Sequence, residues 1–143
     1  VQQVTIMQKP ILHDPIFLSR PSRPATKDDL AVARDLADTL SAHADHCVGL
    51  AANMIGESVC ILAVLDGSRV RVLVNPEITK HSARTYQTEE GCLSLPDTRP
   101  TERYESIEVR YRDEAFRKQR GKFSGLVAEA IQHEMDHFEG KLI

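Results

Sequence analysis

The sequence predicts an α+β fold, with antiparallel strands packed around a C-terminal helix and preceded by an extended N-terminal arm and one amphipathic helix. Three observations predict it. Apolar residues recur at helical spacing at Leu30, Ala33, Leu36, Ala37 and Leu40, and again through Leu126, Val127, Ala130, Ile131, Met135 and Phe138. Between these stretches lie β-branched runs joined at hairpin length rather than by crossover helices. The 143 residues, 41% hydrophobic and 27% charged, suit one domain with a proper core, expected to span residues 1–143.

In chain order, residues 1–25 hold prolines at 10, 15, 21 and 24, which predicts an extended arm laid over the body without regular helix. Thr26 then reads as a helix N-cap, with Asp28 and Asp29 in the first turn, and the amphipathic helix runs to about Ala44. Small residues around Cys47, Gly49, Ala51 and Ala52 predict a tight loop where backbone approaches another group closely. Residues 59–65 and 69–75 read as a hairpin with a three-residue loop, Asp66-Gly67-Ser68, and Asn75-Pro76 ends the second strand. Residues 77–81 and 83–88 read as a short antiparallel pair. Ile107, Val109 and Tyr111 alternate with charged residues as a half-buried strand does, and residues 113–122 read as a charged turn region.

Composition narrows the function. A net charge of -3 with scattered Lys and Arg argues against direct nucleic-acid chemistry. The longest apolar run, residues 59–65, is far too short to cross a bilayer, and with no signal-peptide pattern a cytoplasmic location is the expectation. The three cysteines, Cys47, Cys60 and Cys92, form no Cys-x-x-Cys pair and no disulfide framework.

The chemistry is concentrated in the last helix, where His133, Glu134 and His137 spell His-Glu-x-x-His. Residues four apart share a helix face, so both imidazoles can converge on one divalent cation while Glu134, about 100° away, reaches a water without being a ligand. Apolar residues around most of the circumference place this helix, and its histidines, inside the protein. Buried histidines and a buried glutamate need a partner, and a metal supplies one. A hydrolytic site takes three protein ligands and an open position. The third could come from His13, His43, His46, His81, an acidic residue or a cysteine; Cys92 stands out because it follows a glycine and opens a proline-ended apolar segment.

Three segments, Gly49-Leu-Ala-Ala52, Glu90-Gly-Cys-Leu-Ser94 and Gln132-His-Glu-Met-Asp-His137, resemble in this order the signature motifs of peptide deformylases. Asn75-Pro76, Gly125-Leu126 and Gly140 extend the resemblance over most of the chain from Val48 onward. It implies an enzyme that removes the N-formyl group from N-formylmethionyl nascent peptides, with the ribosome near the nascent-chain exit as a partner. It further implies that Cys92, His133 and His137 bind the metal, ferrous iron natively, with zinc, nickel or cobalt as substitutes. Glu134 is then the catalytic acid and base, and the backbone N–H of Leu93 an oxyanion donor. Val48, Gly49, Leu126 and Ala130 match substrate-binding positions, while Arg99 and Arg103 match arginines for substrate carbonyl binding and for pairing with Asp136.

One departure is chemical. The family's first-motif glutamine aligns with Met54, a thioether that cannot donate a hydrogen bond, and the motif's first glycine is Cys47. Losing one oxyanion donor costs about 2.7–4 kcal/mol, or roughly 10² to 10³ in rate, so reduced activity is the expectation. An alternative is a relative that is weakly active or inactive and binds formyl-methionyl peptides. A zinc peptidase read from His-Glu-x-x-His alone is disfavoured, because such peptidases do not use a thiolate third ligand.

Overall fold

The computed structural model describes residues 9–45, 47–92 and 94–141. The arm is not wholly extended. It contains one helical turn, α1 (Pro15–Leu18), because Asp14 accepts the Ile16 N–H at 3.0 Å and Pro15 stands at the helix start, where a missing N–H costs nothing. Buried Leu18 anchors this turn to the core. Residues 1–8 of the expected arm lie outside the described residues; from residue 9 on, the arm lies over the body as expected: the Leu12 N–H donates to Met54 O and the Ser22 N–H to Phe138 O, each at 2.8 Å. Arg23 bridges to Val59, and Asn75 holds both backbone groups of Ala25, at 2.7 and 2.9 Å.

Thr26 does cap the next helix. Its side chain accepts the Asp28 N–H, while the Asp29 carboxylate accepts the Thr26 N–H at 2.8 Å and pairs with both terminal nitrogens of Arg23. A 3-10 turn, Lys27–Asp29, leads into α2 (Leu30–Ala42), whose Ala33, Leu36 and Leu40 are buried.

Among the described residues seven strands follow: β1 (Gly49–Ala51), β2 (Ile61–Asp66), β3 (Arg69–His81), β4 (Thr85–Cys92), β5 (Leu95–Tyr104), β6 (Ser106–Arg112) and β7 (Lys118–Ser124). They form a five-stranded sheet, β1-β2-β3-β6-β7, and a two-stranded sheet, β4-β5, with every strand pair antiparallel. The chain closes with α3 (Gly125–Phe138), which packs on β1 and β2. β2 meets both α2 and α3, and Ile61, Leu62, Ala63 and Val64 are therefore buried on both sides of the strand.

Several local expectations are corrected. The tight loop after Cys47 is strand β1 followed by a 3-10 turn, Ala52–Ile55. Asp66 pairs with Arg69, so the β2-β3 loop has two residues, with Gly67 at φ 67°. β3 does not stop at Asn75-Pro76; Asn75 turns through φ 50°, the register shifts, and residues 77–81 go on to pair with β6 rather than with residues 83–88. The segment at 85–92 pairs instead with β5, which the sequence did not suggest, and the second half of the charged region at 113–122, from Lys118 on, enters β7.

Candidate active site

The site is assembled where α3 passes β1 and the β4-β5 hairpin. Cys92 ends β4 and is partly buried; His133 and His137 lie one turn apart on α3 and are 5% and 1% exposed. The Nε2 atoms of the histidines are 3.1 Å apart, and Cys92 Sγ is 3.6 Å from His137 Nε2. One ligand atom from each residue falls within 4.8 Å of the others. An ion bonded to sulfur at about 2.3 Å and to nitrogen at about 2.0–2.1 Å with tetrahedral angles separates its S and N ligands by about 3.6 Å and its two nitrogens by about 3.3 Å. The three side chains therefore fit one small divalent ion. Among the described residues, the other sequence candidates are engaged elsewhere: His13 with Ser94 O, His43 with Thr39 O, and His81 with Ser82 O. His46 lies outside the described residues, as does Leu93.

Behind the cluster stands a group the sequence did not single out. Glu90 Oε1 is 2.6 Å from His133 Nδ1, which fixes that ring so that its other nitrogen faces His137 and Cys92. Arg103 clasps Glu90 through Nε and Nη2 and reaches Asp136 with Nη1 at 2.6 Å. Burial works against the Glu90 charge, but the bonds to His133 and Arg103 prevail and hold its carboxyl at about 2. Burial likewise opposes charge on His133, yet its bonds to Cys92 and Glu90 push the imidazole up to about 10. Burial, with His133 adjacent, pulls His137 down to about 4. The signal for Glu90 was present, since it sits two residues before Cys92 in the same motif, but its partner is 43 positions away.

Glu134 is placed differently. It is 4% exposed, its Oε1 lies 3.9 Å from His137 Nε2, and that oxygen has no hydrogen-bond partner among the described residues. Burial pushes its carboxyl up to about 7. The side chain fits because residue 49 is glycine: a Cβ there would come within 2.9 Å of Glu134 Oε2. Beside it opens a cleft of about 190 Å³ whose lining includes Val48, Leu126, Ala130, His133 and Glu134. Leu126 is 59% exposed at its rim, so α3 is buried on the histidine side and open at its first turn. Arg99 pairs across the hairpin with Glu90, and its buried Nη1 has no hydrogen-bond partner among the described residues.

Met54 is buried at the same centre, its Sδ 3.9 Å from Cys92 Sγ. The neighbouring Asn53 points away from this centre, donating from Nδ2 toward Leu18 O and His137 O. The Cys47 thiol donates to Gly49 O at 2.7 Å and is pushed up to about 12, chiefly by burial.

Over residues 1–143 the chain matches the family model described as polypeptide deformylase. The peptide deformylase of Clostridium beijerinckii is 52% identical over 137 residues, covering 96% of this chain and all of that protein. The chain belongs to the polypeptide deformylase family. Among solved structures, a class I type b peptide deformylase from Acinetobacter baumannii superposes with a TM-score of 0.85 at 28% identity, over 95% of this chain and 96% of that one. A peptide deformylase from Legionella pneumophila gives 0.83 at 34% identity, over 94% and 83%. As a deformylase the chain is a metal-dependent hydrolase that removes N-formyl groups, and neither the binder alternative nor a peptidase is needed. Among the described residues, no helix is long and apolar enough to cross a membrane.

Proposed function

We propose that this deformylase acts on N-formylmethionyl peptides as a single domain spanning residues 1–143, with Cys92, His133 and His137 holding one divalent ion and Glu134 moving the proton. The observation that carries the proposal is the convergence of one thiol and two imidazoles beside a buried carboxylate whose Oε1 has no protein partner among the described residues. A bound divalent ion supplies Lewis-acid polarisation and makes water nucleophilic near neutral pH. Glu134 takes the proton of the attacking water and returns it to the amine as the formyl C–N bond breaks, releasing formate and a free N-terminus. A carboxyl poised near 7 suits both halves of that transfer. In this reading Val48, Leu126 and Ala130 of the cleft lining take the methionyl side chain, Gly49 is a further substrate-binding residue, and Arg99, whose Nη1 has no hydrogen-bond partner among the described residues, serves a substrate carbonyl. The Leu93 N–H is the backbone oxyanion donor in this reading, and Met54 occupies the position of the side-chain donor.

Ferrous iron is the proposed native ion on the family resemblance, with zinc, nickel or cobalt able to replace it, and one thiolate with two imidazoles is a borderline-soft donor set compatible with each of them. The proposed setting is the cytoplasm, at the ribosome near the nascent-chain exit. The test is formate release from formyl-Met-Ala-Ser by protein reloaded with iron under anaerobic conditions, with metal content measured on the same sample. The parent turns over with one equivalent of metal, and Cys92→Ala loses both. Full metal content in Cys92→Ala contradicts the assignment.

A further inference from the structure

The basic residues are scattered along the sequence, but antiparallel pairing gathers them. Alternate residues of a strand share a face, and so do residues paired directly across two strands. Burial of Ile107, Val109, Tyr111 and Phe123 on the core side therefore turns Arg110 and Arg112 of β6 outward, together with Lys118, Arg120 and Lys122 of β7. Arg110 stands directly opposite Arg120, and Arg112 directly opposite Lys118. With Lys80 of β3, these cations share one face with two carboxylates, Glu77 and Glu108, in a chain whose net charge is -3.

Charge on an edge strand is by itself a device against pairing with another strand. That accounts for β7, which has one neighbour among the described residues, but not for β6, which is flanked by β3 and β7. Like charges placed directly opposite destabilise a sheet, and here two such pairs are adjacent. Glu77 answers Arg110 at 2.7 Å, and Arg112 donates to Phe116 O at 2.9 Å. The side chains of Lys118, Arg120 and Lys122 have no hydrogen bond or ion pair among the described residues. Beside the repelling pairs lies a hollow of about 240 Å³ whose lining includes Asn75, Arg110, Arg112 and Lys118. An anion seated there would turn the repulsion into attraction.

We propose that the outward face of β3, β6 and β7 docks on the phosphate backbone of an RNA duplex. The four residue steps from Lys118 to Lys122 span about 13 Å of extended strand, room for on the order of four phosphates of one nucleic-acid strand. The outward positions of β6 and β7 hold no aromatic side chain on which an unstacked base could rest, and no apolar one to enter a lipid surface. A phosphate backbone fits such a face, and contacts of this kind read no sequence. The choice of RNA rests on the proposed action on nascent chains, which brings the enzyme to the RNA of the ribosome.

The test follows binding of an RNA duplex of about 16 base pairs to metal-loaded protein by fluorescence anisotropy, over salt from about 50 to 200 mM. Neutralising three or four phosphates gives a plot of log affinity against log salt with a slope of about -3 in the parent. Arg120→Gln and Lys122→Gln should each flatten that slope by about 1, and the two combined with Lys118→Gln should weaken binding at about 50 mM salt tenfold or more. Arg20→Gln, a cation on the arm, should leave it unchanged. All of these variants should release formate from formyl-Met-Ala-Ser at the parental rate, because the face lies on the opposite side of the sheet from α3. A slope near zero in the parent, an equal loss in Arg20→Gln, or tighter binding of polyglutamate or of phosphatidylserine vesicles than of the duplex overturns the RNA face and leaves the hydrolytic site intact. Failure of the metal-loaded parent to release formate overturns the hydrolytic reading, and the choice of RNA with it.

Discussion

Two buried glutamates stand beside one candidate metal cluster and are surrounded in opposite ways. Glu90, 7% exposed, takes hydrogen bonds from His133 and from two nitrogens of Arg103, and those bonds hold it ionised against its burial. Glu134, 4% exposed, has one oxygen with no partner among the described residues, and burial raises its carboxyl to about 7. In the proposed reading the same functional group becomes a fixed support in one place and a proton carrier in the other because of what surrounds it, not because of where it sits in the chain. A paired carboxylate orients the imidazole and gives nothing up; a desolvated, unpaired one can accept a proton and release it.

The contrast can be broken from the support side first. Glu90→Gln leaves the enclosed Arg103 with Asp136 as its remaining carboxylate partner, and should cost about 3–5 kcal/mol in denaturant unfolding. The same change should weaken metal binding by about 10–100-fold, since His133 loses the charge that orients it. Unchanged stability and affinity would mean that the network is incidental.

On the reactive side, Gly49→Ala should leave the metal in place while displacing the Glu134 carboxylate, since the added Cβ meets Oε2 at 2.9 Å and Cγ at 3.2 Å. A misplacement on this scale costs about 10² in kcat, read from formate release with metal content as the control. Parental kcat in Gly49→Ala would show that the position of Glu134 is not critical. A comparable effect of opposite sign is expected at Met54: Met54→Gln should raise kcat by about 10², with little change in KM, because the amide bond strengthens as the oxyanion forms. An unchanged or lowered kcat would show that Met54 does not limit the parent enzyme.

Much of this centre was legible in the sequence because its parts are local. His133, Glu134 and His137 need only helical spacing to share a site, and the Thr26 cap and the β2-β3 hairpin are equally short-range. What was not legible depends on long-range pairing. Glu90 becomes a support only when β4 is folded against α3, 43 positions on. β5 was hidden by Pro96 and Pro100, which a two-stranded sheet tolerates because each strand has an unpaired edge. β7, at the edge of the larger sheet, shows no apolar alternation because Phe123 is its one buried residue. The turn at α1 was readable, since an aspartate before a proline is a helix start, but the count of prolines outweighed it.

The most direct test of the difference between the two carboxylates is Glu134→Gln, assayed for metal content, unfolding midpoint and formate release on one preparation. The amide keeps the shape and can still hydrogen-bond water, but it cannot take the proton. The expected result is a full equivalent of metal, stability at or above that of the parent, and formate release reduced by about 10² to 10⁴. Parental turnover in Glu134→Gln with metal bound would contradict the account, because the proton would then have to travel by a group other than Glu134.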